Sequence, residues 1–180
     1  AKGIGEYYRK LMRSSLECSA EVYFFGSNYD STITYPRLFE EDILPSTKKF
    51  AGMLHEKEKY LMAHTDSENE GLIDHYLASD MDVADSICPA PMTKYSIGEY
   101  LDRFKGKISV MGGIPSVSLL PDSLNDRGFE EFLDRFFEEL GDGRGIILGV
   151  SDTTPPGAHI ERLEMIAERA RDFGSVPVVR

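Results

Sequence analysis

The sequence has little of what a disulfide-bonded or thiolate-based protein needs. Only two of its 180 residues are cysteines, Cys18 and Cys88, and they lie far apart in the chain. No CxxC pair occurs, which excludes a disulfide framework and a paired-cysteine metal or redox motif. We therefore expect the protein to work in a reducing compartment, with the cytoplasm as the default location.

Long apolar runs and an excess of basic residues are also missing. No apolar run approaches the about 20 residues that a membrane-spanning helix requires, and no signal-peptide pattern opens the chain. The 31 acidic and 20 basic side chains give a net charge of −11, which argues against binding to nucleic acid or anionic membranes. With 41% hydrophobic residues the chain can bury a core, and its length predicts one domain.

Five short β-type segments alternate with segments of helical periodicity. The β-type segments are Glu21–Gly26, Lys59–Thr65, Asp82–Cys88, Lys107–Gly112 and Gly145–Val150. This alternation predicts a parallel sheet with helices outside it, and neither GxGxxG nor GxxxxGK[ST] occurs to indicate a nucleotide site. A complete (β/α)8 barrel needs eight units and about 250 residues. We therefore expect an α/β fold: a partial (β/α)8 TIM barrel of about five βα units with parallel strands.

Local signals place several helix starts. Pro36 and Pro45 each predict the first turn of a separate helix, because proline has no N–H to leave unbonded there. Ser96, followed three residues later by Glu99, predicts a capping box ahead of an apolar helical stripe.

Small and polar residues follow the predicted strands, where the mouth of an α/β barrel would lie. In chain order they include Ser27, Asn28, Asp30, His64, Asp66, Gly113, Ser116 and Asp152. We assign Asn28, Asp30, Gly113 and Ser116 as candidate substrate-binding residues. Asp30 has a turn role as its alternative, and Gly113, in the segment GGIPS, offers close backbone approach to a ligand or a plain turn.

His64 and Asp66 form the strongest candidate pair. Residues two apart in a strand face the same side, so an imidazole and a carboxylate would meet there. Such a pair can ligate a divalent metal or act as a general acid with its orienting partner. The structural alternative is a hydrogen-bonded core histidine with Asp66 as the N-cap of a helix that begins near Glu68. Asp152 is the third candidate catalytic residue, with a turn or N-cap role as its alternative.

The two cysteines have structural interpretations as well as functional ones. Cys88 either lines the mouth with its thiol or packs as a small buried hydrophobe. Cys18 lies on what reads as an apolar helix face, which predicts a place in the core.

Four motifs, taken in order, are similar to a known superfamily. They read YDSTITYPRLFEEDILPSTKKFAGMLHEK, LMAHTDSENEGLIDHY, ISVMGGIPS and GIILGVSDTTPP. Their order and spacing resemble the C-terminal part of the uroporphyrinogen decarboxylase superfamily, which includes zinc-dependent methyltransferases that act with corrinoid proteins and coenzyme M. The resemblance implies that residues 1–180 are the C-terminal portion of such a TIM barrel. The first residue, Ala1, is not a methionine, which also favours a chain that opens mid-protein.

The resemblance implies a metal site that this sequence alters. In the methyltransferase branch the second segment typically reads His-x-Cys-Gly, a further cysteine follows the last strand, and together they hold zinc. Here His64 is kept, Asp66 stands at the first cysteine position, and residues 150–152 contain no cysteine. Oxygen ligands in place of thiolates favour a harder divalent cation or no metal. His64 and Asp66 are therefore conditional metal ligands.

Three functions stay open at this point. The leading one is methyl transfer or demethylation, with a corrinoid supplied by a partner protein and a small-molecule substrate. The second is decarboxylation of an acetate-bearing tetrapyrrole, which needs arginine clamps and, in that branch, a Gly-His-Gly run where this chain reads Gly149–Val150–Ser151–Asp152. The third is a non-catalytic barrel that binds a corrinoid or a protein. Because five strands leave two open edges, we expect self-association or docking with a missing N-terminal half.

Overall fold

Five parallel strands form one sheet in chain order, from β1 to β5. A computed structural model describes residues 2–26 and 28–175. The strands are β1 (Val22–Phe24), β2 (Tyr60–His64), β3 (Val83–Ile87), β4 (Ser109–Pro115) and β5 (Ile146–Ser151). Each strand pairs in parallel with the next, so every connection must cross back over the sheet through a helical segment. The predicted α/β fold, a partial TIM-barrel-like sheet of five βα units, is confirmed.

Helices precede the sheet and fill its crossovers. The helices are α1 (Lys2–Ser15), α2 (Pro36–Leu38), α3 (Leu44–His55), α4 (Ile73–Ala78), α5 (Ile97–Phe104), α6 (Asp126–Glu139) and α7 (Ile160–Phe173). A π-helical segment (Phe39–Ile43) joins α2 to α3, and a 3-10 segment (Ser116–Leu119) follows β4. Among the helices described, none is both long and apolar enough to cross a membrane.

The helical run after β1 differs from the prediction of two separate helices. From α2 through the π-helical segment to α3 the chain continues without a break. The N–H of Leu44 donates to the carbonyl of Phe39, which is the wider i to i+5 turn of a π-helix. Pro45 follows directly, at a helix-start position where proline's missing N–H is tolerated.

The core lies between the sheet and the helices of its outer face. Its largest fully buried side chains are aromatic and include Tyr76, Tyr100, Phe104 and Phe129. Helix α6 buries Phe129, Leu133 and Phe136, the helically spaced stripe that the sequence displays. The predicted capping box of α5 is also present: Ser96 accepts the N–H of Glu99, whose side chain accepts the N–H of Ser96.

The other face of the sheet, here called the inner face, carries exposed apolar side chains. Register aligns His64, Asp85, Met111 and Ile147 across four strands, so these residues share one face. Phe24 belongs to that face, because its ring meets the ring of His64 edge-on at a centroid distance of 6.1 Å. Phe24 is 58% exposed and Ile147 50% exposed. Within residues 2–26 and 28–175, this face therefore has no apolar layer packed against it.

Cys18 is not a core residue, contrary to the prediction. It lies beyond the end of α1, and its side chain is exposed. Its sulfur lies 3.0 Å from the hydroxyl of Tyr23 and accepts the N–H of Ala20 at 3.4 Å. Helix α1 ends at Ser15, so Cys18 does not lie on a helix face.

Candidate functional site

His64 ends β2 and is held there by a carboxylate of the next strand. Its Nδ1 lies 2.8 Å from Oδ2 of Asp85, the residue that faces it in the β2–β3 register. A carboxylate accepts a hydrogen bond, so Nδ1 carries the proton and donates it. In that tautomer the imidazole presents the lone pair of Nε2, the arrangement found in metal-binding histidines. His64 is only 14% exposed, which limits the positions its ring can take.

Asp66 reaches the same site from a loop. Strand β2 ends at His64, so strand alternation does not place Asp66, contrary to our reason for pairing the two residues. Its Oδ2 accepts a hydrogen bond from Nδ2 of Asn28 at 3.0 Å, and its Oδ1 accepts the N–H of Ser67 at 2.8 Å. The alternative role as a helix N-cap is excluded, because α4 begins only at Ile73. Asn28 thus stands at the mouth, in contact with Asp66.

Asp152 completes the group from the end of β5. Its Oδ1 lies 4.0 Å from Nε2 of His64 and accepts a hydrogen bond from Oγ of Ser86 at 3.2 Å. One ligand atom from each of His64, Asp66 and Asp152 falls within 4.8 Å of the other two. The Asp152 side chain is 45% exposed, which leaves the group open to solvent on that side. The three side chains therefore lie close enough together to share one bound ion.

The donor atoms decide which cation this group suits. One imidazole nitrogen and two carboxylates form a mixed nitrogen and oxygen set, which suits divalent ions such as Mn²⁺ better than soft thiophilic ions. Cys88 is not among the three residues whose ligand atoms converge, and in the metal-free protein burial, followed by the nearby negative charge of Asp66, raises the pKa of its thiol to about 12. The residues present therefore fit a divalent cation held without sulfur.

A cavity of about 260 Å³ opens beside these ligands. Its lining combines carboxylates, hydroxyls and two sulfur-bearing side chains: Asp66, Ser67, Glu68, Cys88, Met92, Thr93, Ser116, Ser151, Asp152 and Thr153. The thiol of Cys88 donates to the sulfur of Met92 at 3.5 Å, so these two residues form one wall. Ser116, predicted to bind substrate, is one of the residues that line this cavity.

Asp30 does not face this cavity, contrary to its assignment as a substrate-binding residue. The residue is 4% exposed, and its Oδ1 accepts the N–H groups of Thr32 and Ile33 at 2.7 and 2.9 Å. Its carboxylate is therefore used to close the loop after β1, the turn role that was its alternative. Ser27, which precedes this loop, lies outside the described residues.

Gly113 is also misassigned as a substrate-binding residue. Strand β4 runs through it to Pro115, so the segment GGIP is a strand and not a turn. A Cβ at Gly113 would point toward the Phe136 ring and Ile146, at 3.2 and 3.3 Å. The position faces the helix layer and lies away from the cavity, and its small size serves packing against α6.

Asp85 and Ser86 contact the candidate ligands and were not identified from the sequence. Both lie inside β3, whereas the sequence prediction considers only polar residues that follow the strand ends. A signal was available for Asp85: a carboxylate within a buried parallel strand requires a partner, and parallel register offers the histidine of the neighbouring strand. No comparable signal marks Ser86, whose orientation depends on a strand irregularity.

Comparisons with known proteins identify the fold. The chain superposes on a solved methyltransferase from Methanosarcina mazei with a TM-score of 0.65 and 14% sequence identity. The match covers 91% of this chain and 45% of that one, so the chain spans less than half the length of that methyltransferase. None of the known protein-family profiles matches the sequence. The curated proteins likewise contain no match. At this level of identity the likeness establishes the fold alone.

Proposed function

We propose that this chain carries the metal-binding part of a methyl-transferring α/β-barrel enzyme, with a divalent cation held by His64, Asp66 and Asp152. The observation that carries the proposal is the convergence of their three ligand atoms within 4.8 Å at the ends of β2 and β5. Polar groups at this end of parallel strands are where barrel enzymes build their sites. The methyltransferase on which the chain superposes supports methyl transfer as the reaction class.

Each residue near the proposed cation has a distinct role. Nε2 of His64 and one oxygen from each aspartate hold the ion, which when bound supplies Lewis-acid activation of a substrate atom. Asp85 fixes the ring orientation of His64, and Asn28 with the Ser67 N–H fixes Asp66. Such outer contacts commonly change metal affinity by about 10- to 100-fold.

The cavity receives the reacting groups. The methyl group moves as a CH3⁺ equivalent: the acceptor supplies the electron pair of the new bond, and the donor keeps the pair of the broken bond. An acceptor that carries a proton must release it, and the site is open to water on the side of the half-exposed Asp152 side chain, so the proton can leave to solvent. Cys88 is not assigned as the acceptor, because burial raises the pKa of its thiol and its proton is donated to the sulfur of Met92.

The charge of the cavity disfavours the decarboxylase alternative. Its described lining includes the carboxylates of Asp66, Glu68 and Asp152 and contains neither lysine nor arginine. An acetate-bearing tetrapyrrole would meet like charge here, whereas its recognition requires basic clamps. Decarboxylation would therefore need basic residues from outside the described part of the chain.

A corrinoid protein is the partner that we propose for the reaction, on the sequence resemblance alone. The chain spans 45% of the methyltransferase that it superposes on. We accordingly propose that residues 1–180 act as the C-terminal portion of a barrel to which further βα units contribute. A non-catalytic barrel that binds a corrinoid is the competing outcome, and turnover of a methyl donor separates the two.

The first test measures cation binding. Mn²⁺ is titrated into the protein while the electron paramagnetic resonance signal of the free ion is followed, and we expect one bound equivalent. His64→Ala should abolish binding, whereas His159→Ala, which removes an exposed histidine at the start of α7, should not. Equal binding by the two variants would exclude the proposed ligand set.

The second test measures the reaction. The protein is incubated with a methylated corrinoid protein and a thiol acceptor, and loss of the methyl–cobalt absorption is followed with and without Mn²⁺. Cation-dependent demethylation supports methyl transfer. Tight corrinoid binding with no demethylation supports the non-catalytic alternative.

A further inference from the structure

Strand β3 contains an extra residue beside the candidate ligands. Its register with β4 pairs Asp85 with Met111 and Ile87 with Gly112, so Ser86 is left unpaired in a β-bulge. Ser86 has φ of +67°, in the left-handed region that residues with a Cβ rarely occupy. Such a conformation persists only where its surroundings impose it.

The bulge turns two consecutive side chains toward one site. In a regular strand, neighbouring side chains point to opposite faces. Here Asp85 contacts Nδ1 of His64, and Ser86, which is 4% exposed, donates its hydroxyl proton to Oδ1 of Asp152. Without the extra residue, only one of the two could reach this group of ligands.

Ser86 lies inside β3, and Asp152 directly follows the last residue of β5. Ser151, which precedes Asp152, is fully buried; its Oγ donates to the Ile87 carbonyl at 2.6 Å and accepts the Gly113 N–H at 2.9 Å. One hydroxyl thus ties β3 just after the bulge to β4 and β5. The backbone that precedes Asp152 is therefore anchored beside β3 and β4.

We propose that Ser86 is a positioning residue that aims Asp152 at the cation, an inference that rests on the proposed function. Glycine would adopt φ of +67° without strain. What serine adds at this position is its hydroxyl group, whose hydrogen-bond partner is Asp152. The bulge therefore keeps a strained backbone conformation at Ser86, and the hydroxyl placed there orients one ligand, Asp152.

Ser86→Gly separates this role from a structural one. The change removes the hydroxyl and also relieves the left-handed strain, so the melting temperature should be equal to or above that of the wild type. Mn²⁺ affinity, measured by the resonance signal of the free ion, should fall about 10- to 100-fold. Lys105→Gly is the matched control: Lys105 has φ of +54° at the C-terminal end of α5, so its variant should gain stability and keep wild-type affinity.

The outcomes are distinguishable. Wild-type affinity in Ser86→Gly overturns the inference and leaves the proposed function standing. A lower melting temperature accompanied by weaker binding also overturns it, because the serine would then be holding the strand and not the ligand. If the wild-type protein binds no Mn²⁺, the proposed function itself fails, and this inference fails with it.

Discussion

Replacing Asp85 tests how the strand register builds the site. The carboxylate of Asp85 accepts the Nδ1 proton of His64 at 2.8 Å, with the two side chains 21% and 14% exposed. A hydrogen bond to a charged group at a largely buried position contributes about 1.5 to 3 kcal/mol. The usual effect of an outer contact on metal affinity, about 10- to 100-fold, corresponds to about 1.4 to 2.7 kcal/mol. The free energy of the hydrogen bond and the free energy that corresponds to the usual change in metal affinity cover the same range. Asp85→Asn should therefore weaken Mn²⁺ binding at least about 10-fold.

The assay combines affinity with the tautomer of His64. Mn²⁺ affinity is measured by titration, and long-range ¹⁵N NMR of the metal-free protein reports which ring nitrogen carries the proton. In the wild type we expect the proton on Nδ1, and in Asp85→Asn a mixture of tautomers, because the amide can either accept or donate. Asp122→Asn, which removes an exposed carboxylate in the loop before α6, controls for the change in net charge. Equal affinity in the two variants, with an unchanged tautomer, would refute the reasoning.

Three further predictions concern reactivity and stability. Iodoacetamide should label Cys18 before Cys88 in mass spectrometry, because hydrogen bonds from Tyr23 and a backbone N–H lower the pKa of Cys18 and burial raises that of Cys88; faster labelling of Cys88 would contradict this. Gly112→Ala should lower the free energy of unfolding by about 3 kcal/mol or more, since a Cβ there would lie 2.3 Å from the buried serine hydroxyl of β5. Gly106→Ala is its control, because Gly106 also has positive φ but has open space around it. Its free energy of unfolding, measured by urea titration like that of Gly112→Ala, should fall by only about 1 to 2 kcal/mol. Ser96→Ala should cost about 1 kcal/mol through loss of the capping box, and an unchanged urea midpoint would refute that role.

The fold was predictable because its signals are local and repeated. Each strand overlaps one of the predicted β-type segments, and helical periodicity such as that of α6 lies between them. Parallel pairing follows from this alternation. The run from α2 to α3 was misread because a π-helical turn carries no sequence signal comparable to that of proline.

The candidate site was predictable only in part. His64 ends β2 and Asp152 follows β5, so both lie at the same edge of the parallel sheet, where the sequence predicts the mouth. Asp30 was misassigned because a loop carboxylate looks the same in sequence whether it faces a cavity or caps its own turn. Asp85 and Ser86 were missed because their directions depend on strand register and on a bulge, which are set by pairing between segments and not by either segment alone.

The exposed inner face of the sheet affects how tightly the candidate site would bind a cation. Its exposed large apolar side chains are those of Val22, Phe24, Tyr60 and Ile147. The Phe24 ring lies edge-on to the imidazole of His64. A macromolecule that covered these apolar side chains would also remove water from around the ligands, and electrostatic attraction to a cation grows as the surrounding dielectric constant falls. Association and cation binding are then thermodynamically linked, each tightening the other by the same factor. Sedimentation with and without Mn²⁺ measures that factor directly.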